Sequence, residues 1–435
     1  MLQYFHSVTL DKDKCKGCTN CIKRCPTEAI RVQNGKAKII KERCIDCGEC
    51  IRVCPYHAKK AITDSFDDIF KYKYKIALPA PTLYGQFNNI EDVNVVLTGL
   101  IKLGFDEVFE VAKAAEIVSV ATKMYLDSGK VNTPAISSAC PAIVRLIKVR
   151  FPNLIDNIVP IQSPMEVAAR LAKKQAVERL GLTHDEIGVF FISPCAAKVT
   201  STKSPVGIDV SFVDGVLSMK EIYLKIVAMI SKMDEVMNLS NAGMKGIKWA
   251  NSGGEATALE EDNYIAVDGI HNVIRILEEM ENDKLNNIKY AELLACTGGC
   301  VGGPITVENN FVAKTRIKQI AKTMKTASSD ITEEFVRTMD VSWTNSITYQ
   351  PVLNLDDNMI EAMKKMEKMN EIYKSLPGLD CGSCGSPSCK TLAEDIVRGF
   401  ANETDCIFKL REKVRDLAKE MIDLESKMPP SFQKD

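Results

Sequence analysis

Cysteine spacing constrains this chain more than any other property. Cys15, Cys18, Cys21 and Cys25-Pro26 spell C-x2-C-x2-C-x3-C-P, and Cys44, Cys47, Cys50 and Cys54-Pro55 repeat the pattern 29 residues later. Loops this short wrap three thiolates around three corners of an iron–sulfur cube, and the fourth cysteine of each run reaches the other cube. The spacing predicts one 4Fe–4S cluster on Cys15, Cys18, Cys21 and Cys54 and a second on Cys44, Cys47, Cys50 and Cys25, in a ferredoxin-like α+β domain over residues 1–65. Gly17 and Gly48 allow the tight turns that leave N–H groups facing the sulfurs. A pair of zinc sites is the alternative, but zinc spacings rarely combine x2, x2 and a trailing Cys-Pro.

The chain holds 16 cysteines among 435 residues, too sparse for a disulfide scaffold. Met1 to Lys12 contains His6, Asp11 and Lys12 but no apolar stretch of the kind a secretory leader uses, so a reducing, cytoplasmic location is expected. Clustered cysteines there are metal ligands or catalytic groups. With 56 basic and 57 acidic side chains the formal charge is −1, which leaves no basic field for nucleic acid. No apolar run approaches the ~20 residues of a membrane span, so neither nucleic acid nor membrane is expected as a partner.

Four more cysteines close the chain: Cys381, Cys384 and Cys389 in CGSCGSPSCK, then Cys406. Gly382, Gly385 and Pro387 make a tight loop, as if wrapped on a bound group. The arrangement is similar to the small single-cluster 4Fe–4S domain appended to many anaerobic redox proteins, which implies such a domain over 351–406. Tetrahedral zinc remains open for these thiols.

The last four, Cys140, Cys195, Cys296 and Cys300, are scattered in sequence. Three of their contexts follow apolar stretches of strand length, at Thr133–Ser138, Ile187–Ile192 and Tyr290–Ala295. Helical patterns intervene, one opened by the capping box Ser163-Pro164-Met165-Glu166. Strand–loop–helix alternation predicts an α/β fold, whose ligands gather beyond the carboxyl ends of the strands.

ISSACPAIV, ISPCAAK and ELLACTGGCVGGP together resemble the active-site domain of the iron-only (diiron, FeFe) hydrogenases. The resemblance covers about Tyr74 to Ile347, and the KIALPAP stretch with Ala80-Pro81 matches the family's first strand. It implies a hydrogenase domain of two α/β lobes over residues 66–350. It also implies an H-cluster, a 4Fe–4S cube on Cys140, Cys195, Cys296 and Cys300, bridged by Cys300 to a diiron unit with carbon monoxide, cyanide and a dithiolate bridge. Lys198, three residues after Cys195, matches the family's lysine and is suited to donate to a cyanide nitrogen. Pro194, Ser193 and Leu294 fall on cofactor-contacting positions, the last two where the family has methionines. Gly298, Gly299, Gly302 and Gly303 match its glycine-rich third motif, and Thr297 replaces a proline.

The departures lie on the proton route. Ala139 stands where the family's relay cysteine belongs and has no exchangeable proton. The stretch from Ile117 to Tyr125 lacks the carboxylates that continue the family's route. Ser138 could position water, and Glu255 and Glu166 are substitute donors, although surface charge is the expected role of both. The pattern is similar to a sub-lineage with sensory roles and an added carboxy-terminal cluster domain. It implies low hydrogen turnover and a redox- or hydrogen-sensing role. The alternatives are a catalytic hydrogenase with a rearranged proton path, coupled to a ferredoxin-like carrier, and a non-catalytic iron–sulfur protein like the family's assembly-factor relatives. Partners implied are H2, protons, an electron carrier and the maturases that supply the diiron unit.

The tail, 407–435, places Ile407, Leu410, Val414, Leu417, Met421, Leu424 and Met428 at alternating spacings of 3 and 4, stopped by Pro429-Pro430. This a/d seam predicts a coiled-coil-like helix that forms a homodimer, docks a signalling partner or packs on its own domain. Met359, Met363, Met366 and Met369 are expected as adaptable core on a preceding helix. His6, His57, His184 and His271 lack ligand spacing.

Overall fold

The computed structural model describes residues 5–88, 90, 92–230, 233–325, 328 and 331–427. The chain forms two compact units, one of Met1–Thr9, Ile45–Arg52 and Lys60–Gln350, the other of Leu10–Cys44, Val53–Lys59 and Pro351–Asp435.

The larger unit is built on two parallel sheets. The first contains β1 (Tyr74–Pro79), β2 (Glu107–Val108), β4 (Ile187–Ser193) and β5 (Gly215–Ser218), in the order β2-β1-β4-β5. The second contains β3 (Ala135–Ile136), β6 (Tyr264–Asp268) and β7 (Tyr290–Leu294), in the order β6-β7-β3. Every residue of β4, IGVFFIS, is buried. Such near-continuous apolar runs are what parallel strands covered on both faces require. Tyr74 pairs with Ile187 and Pro79 with Ile192, so β1 and β4 end together.

Helices α1 (Val111–Asp127) and α3 (Pro164–Leu180) pack on each other and on the first sheet's core. Ala168, Ala169, Ala172 and Ala176 line the buried side of α3 at helical spacing, and all are inaccessible to solvent. Their small side chains let the helix approach the sheet closely. Beneath the second sheet, Ile143, Leu146 and Ile147 of α2 (Pro141–Arg150) meet Val273, Leu277, Ala291 and Leu293 in a separate core. The α/β expectation is met, with β4 and β7 within one residue of the spans expected.

Two local expectations fail. The segment Thr133–Ser138 forms a strand only at Ala135–Ile136, because the Ser137 and Ser138 hydroxyls are taken by Glu255 and by the Ile161 carbonyl as the chain turns away. The capping box at Ser163 does not form. Ser163 makes no side-chain cap bond, and the Glu166 carboxylate instead accepts from Ser211 Oγ at 2.7 Å and Phe212 N at 3.0 Å.

In the smaller unit, a hairpin pairs Ile30–Gln33 antiparallel to Lys36–Ile39. Its turn is Asn34-Gly35, with φ of 50° and 71°, the conformation a two-residue hairpin loop needs. Arg31 on this hairpin donates to both Asp395 oxygens, at 2.5 and 3.0 Å, and Arg43 pairs with Glu394. Both carboxylates belong to α7 (Cys389–Val397). Val32 N donates to Gly385 O, and a Cβ on Gly385 would lie 1.9 Å from Val32 O, so only glycine fits this contact. α6 (Met359–Ser375) packs on α7 through Met369, Ile372 and Leu376. Of the four methionines expected in the core only Met369 is buried; Met359, Met363 and Met366 are exposed, because one turn-to-turn line of α6 meets α7 and the rest faces outward. The helix expected of the tail is α8 (Ile407–Ser426); Met428, Pro429 and Pro430 lie outside the described residues.

Asp395→Ala leaves the Arg31 guanidinium buried without its counter-charge. The expected cost is about 3 kcal/mol, read as accelerated amide exchange over α7 with residues 73–304 unaffected.

Candidate metal centre at the carboxyl edge of the sheets

Cys195 follows the carboxyl end of β4, Cys140 lies four residues beyond β3, and Cys296 lies two beyond β7. Cys140 is the N-cap of α2, with Pro141 at the first helical position, and Cys195 is the N-cap of α4 (Ala196–Lys203). Helix N-termini favour negative charge on sulfur. Cys300 opens a short 3-10 turn in the glycine-rich loop. That loop is packed to the limit of its backbone: a Cβ would lie 2.4 Å from Ser252 N at Gly299, 2.1 Å from Thr297 O at Gly302 and 2.2 Å from Pro194 O at Gly303.

All four cysteines line one cavity of about 850 Å³, counted with its open mouth. Its wall is mostly apolar, with Pro81, Phe191 and Trp249, and it also contains Ala139, Pro194, Lys198 and Leu294. Lys198 Nζ donates to Ala139 O at 3.3 Å. Ser193 is buried but is not among the lining residues. Its hydroxyl accepts from Cys195 N at 3.0 Å and so braces the cysteine loop. Ser138 faces a second, smaller cavity shared with Ala139 and Lys198, and its proton is committed to Ile161 O at 2.7 Å.

The electrostatics ask for a cation. Burial, reinforced by the charges of Cys296 and Cys140, pushes the Cys195 thiol up to about 12. Burial raises Cys300 and Cys140 as well, and Lys198 pulls all three down. Arg52 adds a second positive group: burial opposes its charge, but Cys296 and Glu49 outweigh that, and its Nη1 donates to Gly302 O at 2.9 Å. An iron–sulfur cube supplies the positive charge that makes such thiols thiolate ligands. Thr82 Oγ1, buried on the cavity wall, is a further polar group without a hydrogen-bond partner among the described residues. The residues present therefore fit a metal cluster with polar ligands.

Glu255 and Glu166, expected on the surface, are both only 4% exposed, because partners on neighbouring loops satisfy their oxygens. Glu255 lies on the cavity wall in α5 (Gly254–Ala258). It accepts from Ser137 Oγ at 2.8 Å and from Tyr290 OH at 2.6 Å. Ser137 Oγ in turn accepts from Ala139 N at 3.2 Å. Glu292 of β7 also lines the cavity and accepts from Gly253 N and Ala256 N, each at 2.9 Å. Burial raises both carboxyls, and the charge of Glu292 raises Glu255 further.

Ser137, Glu292, Thr82 and Arg52 were not singled out by the sequence reading. A glutamate inside the otherwise apolar strand YAELL was the available signal for Glu292, and Thr82 directly follows the Ala80-Pro81 match.

In the smaller unit, Cys15, Cys18, Cys21 and Cys54 line one pocket, the set expected for one ferredoxin cluster. Ala37 N donates to Cys15 Sγ at 3.4 Å and Ala58 N to Cys54 Sγ at 3.3 Å. Lys59, 2% exposed, also lines this pocket, and its Nζ has no hydrogen-bond partner among the described residues, so a bound cluster's sulfurs would satisfy it. No sequence signal marks it. Of the second expected set, Cys25 and Cys44 belong to this unit and Cys47 and Cys50 to the larger one. Cys384, Cys389 and Cys406 share the small core of α6 and α7, while Cys381 is exposed.

Two outcomes follow from this geometry. Lys59→Gln removes a buried positive charge and should lower the potential of the adjacent cluster by on the order of 100 mV in an EPR-monitored titration. A carboxyl raised on folding binds its proton more tightly in the native state, so its stabilisation is full below the ordinary glutamate range and is lost as pH rises through the raised value. Glu255→Gln should therefore flatten the fall in melting temperature between about pH 5 and pH 9.

Residues 73–260 and 225–304 match the family described as iron only hydrogenase large subunit, C-terminal domain. Residues 7–55 match a 4Fe-4S dicluster domain, and 376–408 match an Fe-S cluster family. The chain is 29% identical over 212 residues to the periplasmic Fe hydrogenase large subunit of Nitratidesulfovibrio vulgaris, covering 44% of this chain and 50% of that protein. It is 24% identical over 387 residues to iron hydrogenase 1 of Clostridium pasteurianum, covering 72% of this chain and 67% of that one. The chain thus spans half the length of the first relative and about two thirds of the second. A variant of the FeFe-hydrogenase HydA1 from Chlamydomonas reinhardtii aligns at a TM-score of 0.49 and 14% identity, over 66% of this chain and 97% of that one. No described helix is long and apolar enough to cross a membrane. Matched over residues 73–304, more than half of its length, the chain belongs to the iron-only hydrogenase large-subunit family.

Proposed function

We propose that Cys140, Cys195, Cys296 and Cys300 hold an H-cluster, with Cys300 bridging to a diiron unit, and that the chain reacts reversibly with H2 and protons at low turnover as a redox or hydrogen sensor. The observation that carries this reading is a single cavity wall that keeps four cysteines and Lys198 yet has Ala139 at the relay position. When bound, the diiron unit supplies the metal at which hydrogen is taken up or formed. The chain's own residues do the rest. Lys198 and Thr82 offer donors to polar ligands, and the apolar wall excludes water. Ala139 exchanges no proton, and Ser138 holds its own on a backbone carbonyl. Proton transfer by a positioned group contributes about 100- to 10,000-fold to rate, so its removal leaves binding but not flux.

Glu255 favours a second reading, a catalytic hydrogenase with a rearranged route. Its carboxyl lines the same cavity and stands one hydroxyl, Ser137, from the Ala139 backbone. A carboxyl raised by burial is suited to exchange protons near neutral pH. The ferredoxin-like clusters and the carboxy-terminal cluster would carry electrons to and from a ferredoxin-like carrier, and maturases would supply the diiron unit. None of the 16 cysteines forms a disulfide, which suits the reducing cytoplasm.

After loading with a synthetic diiron cofactor, infrared bands of carbon monoxide and cyanide should be present and should shift under H2; their absence overturns the proposal. Ala139→Cys should raise hydrogen evolution by about tenfold or more. If Glu255→Gln instead abolishes a wild-type rate already matching fast relatives, the catalytic reading holds.

A further inference from the structure

The helix α8 has 20 residues and buries none of them. Ile407, Leu410, Val414, Leu417, Met421 and Leu424 are between 46% and 70% exposed, and their spacing puts them on one face. A lone helix of this length with one apolar stripe is marginal in water and is stabilised by covering that stripe. Among the described residues no other element covers it.

We infer that the stripe is covered by α8 of a second copy of this chain, running antiparallel. The charges beside the seam select this partner. In heptad terms Ile407, Val414 and Met421 occupy a, and Leu410, Leu417 and Leu424 occupy d. The g positions are Lys413, Glu420 and Lys427, and the e positions are Arg411, Ala418 and Glu425.

In a parallel pair each g side chain meets the partner's e side chain five residues on. That sets Lys413 against Ala418 and Glu420 against Glu425, with two like-charge contacts and no attraction. In the antiparallel pair Ile407 stacks on Leu424, Leu410 on Met421 and Val414 on Leu417, giving six apolar layers from the six seam residues of α8. The g flanks then face each other, and Lys413 meets Glu420 of the second copy twice. On the other flank Arg411 lies over Ala418, the smallest side chain in the helix, where the two backbones approach most closely. Phe408 and Ile422, 41% and 66% exposed, widen the apolar stripe on that flank.

Sedimentation of the full, cluster-loaded chain under anaerobic conditions tests the pairing. The wild type should show a concentration-dependent dimer. Lys413→Glu and Glu420→Lys should each weaken it about tenfold, since each converts two attractions into two repulsions. An equimolar mixture of these two variants should dimerise again, because each then carries the charges the other lacks, and the double variant should dimerise on its own. A wild type that stays monomeric, including one that binds only a foreign helix, overturns the proposal. So does a dimer indifferent to both substitutions, or one tightened by Glu420→Lys alone, as a parallel pair would be.

Discussion

Four thiols share one enclosed space, where ionisation is costly, and the larger unit is arranged around them. Mutual repulsion and burial both oppose ionisation. The chain answers with geometry available only at the carboxyl edge of parallel strands, where loops converge and helices begin. Two of the four sulfurs sit on helix N-caps, one feels the Arg52 guanidinium, and a lysine lines the same cavity. Near-continuous apolar strands and the alanine face of α3 hold those loop ends rigidly enough to be a site.

A wall with alanine at position 139 is not inert. The methyl of Ala139 has no exchangeable proton, yet its amide is bonded to Ser137, whose hydroxyl reaches a buried carboxyl. Two carboxyls enclosed side by side favour sharing protons over full ionisation. The cavity wall therefore carries a buried acid–base group.

What sequence made legible was whatever is encoded by spacing. The tandem motifs, the strands of β4 and β7, the α/β alternation and the helix after Cys406 follow from periods that local chemistry imposes. What it hid were long-range pairings. Glu166 has the offset of a capping residue, but Ser211 and Phe212, distant in sequence, bond it better. Ser138 and Ser137 are adjacent and chemically identical, and only the direction of the chain beyond β3 decides which faces Glu255. Lys59 reads as an ordinary surface cation until folding encloses it. The methionines of α6 have the period of a core stripe, but the helix has one neighbour rather than two.

The last cysteine of the smaller unit is also the residue from which α8 springs: Cys406 is its N-cap, and Leu410 N donates to the Cys406 carbonyl at 2.8 Å. There is no hinge between them. The rod's heading is thus inherited from the sulfur, much as a weathervane's arm follows its spindle, and any rotation of that one residue is magnified along ~30 Å of helix.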